Sequence, residues 1–125
     1  MRKKGCSVIL LFMFMFVFMF VAPVFAKNLT ETEVVAVAKD ALTGQAIAFE
    51  DAVVTYDKDN QKWQAWGEMV TKNPQDPNNG NLPQGVLKEK KYHTIYFDFE
   101  ESVRDDIWVF VDGDTGKILM IYEEK

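Results

Sequence analysis

Apolar residues recur at Val34, Val35, Ala38, Ala41 and Leu42, the spacing of one face of a helix, and predict an amphipathic helix over Glu31 to Thr43. Thr30 and Glu33 bracket its start as a capping box, Leu29 and Val34 form the hydrophobic staple around that box, and Gly44 stands where such a helix ends. The β-branched and aromatic run Ala52 to Tyr56 predicts a strand, Asp57 to Asn60 a turn, and Lys62 to Val70 its returning strand. On that return, Trp63, Ala65, Gly67 and Met69 would share one face and Gln64, Trp66 and Glu68 the other.

From Thr71 to Lys91 the hydrophobic period vanishes into Pro, Asn, Gly, Gln and Lys, which predicts a long flexible loop within one domain. Beyond it Tyr92 to Phe99 alternates, with His93, Ile95, Phe97 and Phe99 on one side and Tyr92, Thr94, Tyr96 and Asp98 on the other. Ile107 to Val111 and Lys117 to Tyr122 are apolar on both faces and predict central strands. Asp112 and Gly116 form the turn between them, Asp112 accepting backbone hydrogen bonds and Gly116 supplying a positive φ. The expected fold is α+β: one N-terminal amphipathic helix on an antiparallel sheet of about five strands.

One helix covers one face of such a sheet. The other face would then expose Trp66, Tyr92, Tyr96, Trp108 and Phe110, a larger aromatic surface than a monomer leaves in water, and these five are the candidate partner-binding residues. The partner would be a protein or a second copy of the chain.

The first 26 residues change the expected compartment. A basic start (Arg2, Lys3, Lys4), an uncharged apolar run from Val8 to Val21 and a small-residue exit ending at Ala26 follow the order of a secretory signal, with cleavage between Ala26 and Lys27. The domain would then span 27–125 and work outside the cytoplasm, free of the membrane once cut. An uncut leader, close to the length that spans a bilayer, would instead leave it membrane-anchored.

Removing the leader leaves 11 basic and 19 acidic residues, a net charge of −8, which argues against binding nucleic acid or anionic lipid. The single cysteine, Cys6, leaves with the leader, so the domain relies on its core without a disulfide.

The helix, the strands and above all Trp108 to Leu119, with its Asp112-x-x-Thr115-Gly116-Lys117 turn, resemble the PepSY domain family. The resemblance implies an extracytoplasmic, non-enzymatic module that binds or restrains a peptidase or another envelope protein, with no catalytic residues to carry over. The same turn occurs in secreted α+β domains of nuclear-transport-factor-like shape, which keeps a small ligand-binding protein or hydrolase open as the alternative.

Candidate chemistry is sparse. Asp112 and Asp114 begin like a calcium loop, but Lys117 occupies the place of its obligatory glycine and a strand follows where a helix should. Asp76 to Asn81 has the composition of a weak ion site or of an ordinary loop. His93, the lone histidine, has no evident metal or triad companions, and Asp98, Glu100, Glu101, Asp105 and Asp106 cluster in a connection with Ser102 and Arg104. No catalytic, cofactor-binding or metal residue is therefore assigned, and no cofactor is expected.

Overall fold

The computed structural model describes residues 29–125; the leader and the Ala26–Lys27 junction lie outside the described residues. The elements run α1 (Glu31–Gly44), β1 (Val53–Asp57), a single 3-10 turn (Lys58–Asn60), α2 (Gln61–Lys72), α3 (Gln84–Leu87), β2 (Tyr92–Asp98), β3 (Ile107–Asp112) and β4 (Ile118–Glu123). The strands form one antiparallel sheet of four in the order β1-β2-β3-β4. The fold is α+β, with α1 packed on one face of the sheet and a second helix, α2, on the other. No helix among the described residues is long and apolar enough to cross a membrane.

At the start of α1 the capping box forms, with the Glu33 amide donating to Thr30 Oγ1 and the Thr30 amide to Glu33 Oε1, both at 3.2 Å. Its end differs from the expectation. Gly44 is the last helical residue, and the left-handed position falls on Ala46, at φ +59°. Ile47 N–H reaches back to Leu42 O at 2.9 Å and Ala46 N–H to Thr43 O at 3.0 Å, the paired bonds of a Schellman cap built without glycine.

The expected strand over Lys62 to Val70 is instead α2, and the sheet has four strands where five were expected. Trp63, Trp66, Gly67 and Val70 stand at i, i+3, i+4 and i+7, and Trp63 and Val70 are buried. Asp57 supplies the start. Its carboxylate accepts from the Lys62 amide at 2.9 Å and the Trp63 amide at 2.8 Å, across a turn in which Asp59 and Asn60 are both left-handed. Asn60 ties this turn to β2, donating to Tyr92 O at 3.0 Å and accepting from Thr94 Oγ1 at 2.7 Å.

Alternation along β3 then feeds two cores. Ile107, Val109 and Val111 meet Val34, Ala38 and Leu42 of α1, while Trp108 and Phe110 meet Trp63 of α2. In β4 the pairing jumps from Phe110↔Met120 to Val111↔Ile118, so the extra residue Leu119 joins Met120 on the α2 side. The face expected to lie open is thus roofed by α2 and α3: Trp108 is 1% exposed and Phe110 0%.

The segment expected as a flexible loop, 71–91, contains the end of α2 and all of α3, and asparagine side chains pin what lies between. Asn79 Nδ2 donates to three carbonyls at the end of α2: Val70 at 2.9 Å, Thr71 at 3.3 Å and Asn73 at 3.1 Å. Asn78 is buried, accepting from the Tyr122 hydroxyl at 2.8 Å and the Lys125 amide at 2.7 Å. In the last hairpin Asp112 Oδ1 accepts from the Asp114 and Thr115 amides at 2.7 and 3.1 Å, and Gly116 has φ +74°. Those amide bonds hold the Asp112 carboxyl below its usual range.

Candidate functional site: a trough along the second helix

The outer side of α2 carries Gln61, Gln64, Glu68 and Thr71 at three- and four-residue intervals, a polar stripe opposite the apolar one. The chain returns beside this stripe at Leu82 and Gln84, and the two walls enclose a solvent-open trough of about 690 Å³ with Trp63, Ala65, Gly67 and Lys72 completing its lining. A second recess of about 410 Å³, between Gln84, Gly85, Leu87, Lys88 and Tyr92, adjoins it through shared Trp63 and Gln84. Trp63 is 5% exposed, so its indole forms a floor edge beneath both while its body is fixed in the core. Ring centroids 5.1 Å from Trp108 and 4.7 Å from Phe110, both edge-on, hold that orientation.

The trough's chemistry is amide-rich. Gln61, Gln64 and Gln84 each offer a carbonyl acceptor and two N–H donors, Thr71 adds a hydroxyl, Glu68 and Lys72 add one charge of each sign, and Leu82 and Trp63 give apolar contact. A Cβ at Gly67 would stand 3.8 Å from Leu82 Cδ1, an ordinary contact, so only a longer side chain there would crowd the passage.

A different chemistry gathers at the end of the sheet where β2 and β4 finish. The Tyr96 hydroxyl donates to Asp106 Oδ2, and Asp106 Oδ1 accepts from the Phe99 amide at 2.9 Å. Burial, followed by that bond to a carboxylate, drives the Tyr96 hydroxyl far above its ordinary pKa. Trp108 Nε1 donates to Glu124 Oε2 at 2.8 Å. Burial raises the Glu124 carboxyl, the bond from Trp108 opposes the rise, and repulsion from Asp106, Asp105 and Asp76 adds to it.

Of the five aromatic candidates, Trp108 and Phe110 lie under α2, and Trp66, Tyr92 and Tyr96 are half-buried around the same cluster. Tyr92 alone lines a recess. His93 is occupied at Nδ1 by the Tyr56 hydroxyl at 2.7 Å. Among the described residues no three His, Cys, Asp or Glu side chains are grouped as metal ligands. Asp106 keeps company with Tyr96 and the Phe99 amide, whereas Arg104 pairs with Glu123 at 3.1 Å.

The trough residues went unrecognised in the sequence because all four share a side only on a helix; the three-residue steps from Gln61 to Gln64 and from Glu68 to Thr71 were their available signal. No family model, curated protein or solved structure matches the chain.

Proposed function

We propose that this chain is a non-enzymatic binding module that acts outside the cytoplasm and seats an extended segment of a partner protein, a peptidase or another envelope protein, in the trough along α2. The trough itself carries the reading. A helix of 12 residues is about 18 Å long at 1.5 Å per residue, room for about five residues of extended chain at about 3.3 Å each. Glutamine side chains can pair with both N–H and C=O of a peptide backbone whatever its sequence, and the Trp63–Leu82 floor offers one apolar contact to fix register. The PepSY-like final hairpin agrees with such a role, and the leader with its location.

Selection of random displayed peptides on the 27–125 domain tests this. Selected peptides should protect the amides of α2 and of Leu82 to Gln84 from exchange, and Gly67→Trp, which fills the trough from a half-buried helical position beside Leu82, should abolish binding, with an unchanged circular dichroism spectrum to show that the fold is kept. Peptides that bind Gly67→Trp as well as the parent would refute the trough. Export is checked separately by intact mass: a chain beginning at Lys27 in the medium supports it, and a full-length chain confined to membranes makes this an anchored envelope component.

The alternative, a small ligand-binding protein or hydrolase, draws on one observation. Burial raises the Glu124 carboxyl toward its protonated form, and a carboxyl so held can serve as a general acid. A hydrolytic activity lost in Glu124→Gln would favour it.

A further inference from the structure

We propose that the Asn79–Gly80 bond is a site of spontaneous backbone modification, and that its reaction releases the clamp on the end of α2. Among the described asparagines only Asn79 precedes glycine; Asn60, Asn73, Asn78 and Asn81 precede Gln61, Pro74, Asn79 and Leu82. Gly80 is exposed, sits at φ +83°, and has open space where a side chain would be. Its amide makes no hydrogen bond among the described residues. A nucleophilic amide nitrogen is therefore accessible, unhindered by a Cβ, one residue after a side-chain amide.

The step needs only water. The Gly80 nitrogen gives its proton to solvent and attacks Asn79 Cγ; the N–Cγ bond forms, the Cγ–Nδ2 bond breaks, and Nδ2 leaves as ammonia once protonated. The resulting five-membered imide is opened by water at either carbonyl, leaving an aspartyl or an isoaspartyl residue at position 79. Nothing is oxidised or reduced.

The consequence follows from what Nδ2 does in the fold. It is the donor shared by the Val70, Thr71 and Asn73 carbonyls. Isoaspartate carries the main chain through Cγ and removes that donor, whereas aspartate puts a carboxylate in its place, facing carbonyl oxygens at the negative end of the helix dipole. Attraction becomes repulsion, and the last turn of α2, with Val70 in the core and Thr71 and Lys72 on the trough, loses its anchor. The same three bonds restrain the side chain in the native state. Reaction must wait for the 73–81 segment to open, so the modification records how often that happens.

Ageing the full chain at mildly alkaline pH, with and without urea, followed by peptide mapping and enzymatic methylation of isoaspartate, tests the proposal. Conversion is expected at position 79 ahead of every other asparagine, with urea raising its rate roughly tenfold or more, because unfolding removes the restraint. Converted protein should exchange the amides of the last turn of α2 faster while α1 keeps its protection. Asn79→Asp, made directly, should lower Tm without ageing. Conversion no faster at position 79 than at Asn60 or Asn81 in urea would overturn the site, and an Asn79→Asp protein that melts and exchanges like the parent would overturn the clamp.

Discussion

The two faces of the sheet are held by different means. Toward α1 the contacts are mainly aliphatic, Val34, Ala38 and Leu42 on Ile95, Ile107, Val109 and Val111 with Phe97 and Phe99 beside them, and the helix is fixed by caps next to it in sequence. Toward α2 the contacts are aromatic, Trp63 among Trp108, Phe110 and Tyr122, and the roof is held by side-chain hydrogen bonds from Asp57, Asn60, Asn78 and Asn79. A regular apolar stripe suffices to place the first helix. The second depends on a few large rings whose orientation must be bracketed by polar groups, so single polar substitutions should damage this layer more than the other.

Trp63→Ala should break that layer most, costing about 3–5 kcal/mol by urea denaturation, because the ring touches most of the aromatic cluster and no neighbour can refill its space. Asp57→Ala follows at about 2 kcal/mol, since it strips two helical N–H groups of their acceptor while Thr30→Ala, on the exposed cap of α1, should cost about half as much. A change of opposite sign belongs to the α1 side. Ala46→Gly should stabilise by about 1 kcal/mol, because glycine takes the left-handed position of the Schellman cap without strain.

The smallest effect is one of pH. With its folded pKa raised, Glu124 binds a proton more readily in the native than in the unfolded chain, so its contribution favours folding at acid pH and is lost as pH rises through the raised value. Glu124→Gln should keep an acceptor for Trp108 Nε1 and flatten that slope in Tm measured from pH 4 to about 7. A slope unchanged in Glu124→Gln would assign it to another carboxyl.

The α1 half of the molecule was legible because its signals are local. Thr30 and Glu33 lie three apart, and Tyr92 to Phe99 alternates on its own. The α2 half was not. Trp63, Ala65, Gly67 and Met69 suit a strand as well as Trp63, Trp66 and Val70 suit a helix, and the helix start that would decide between them sits at Asp57, displaced from α2 by three residues of which two are left-handed. Asp57 to Asn60 therefore looked like a hairpin turn. The segment after α2 looked structureless because its order comes from Asn78, which bonds to residues 44 and 47 positions away, and no periodicity encodes such a bond. With α2 misread, the aromatic face seemed bare and its five residues seemed free to meet a partner.

The register of the edge strand sets an order of events for folding. β2, β3 and β4 follow one another through short connections, whereas β1 must find β2 in a pairing that joins Val53 to Asp98 and Asp57 to Thr94, with α2 and the asparagine-pinned segment inside the closed loop. Closing that loop costs entropy before its contacts repay it, so the three-strand meander is expected to nucleate and β1, with the two helices on either side of it in sequence, to dock afterwards. Mutational φ-values near zero at Trp63 and high at Val109 would be its kinetic signature, and the reverse would place the aromatic layer in the nucleus. On this reading the layer that carries the trough is added to a sheet already begun.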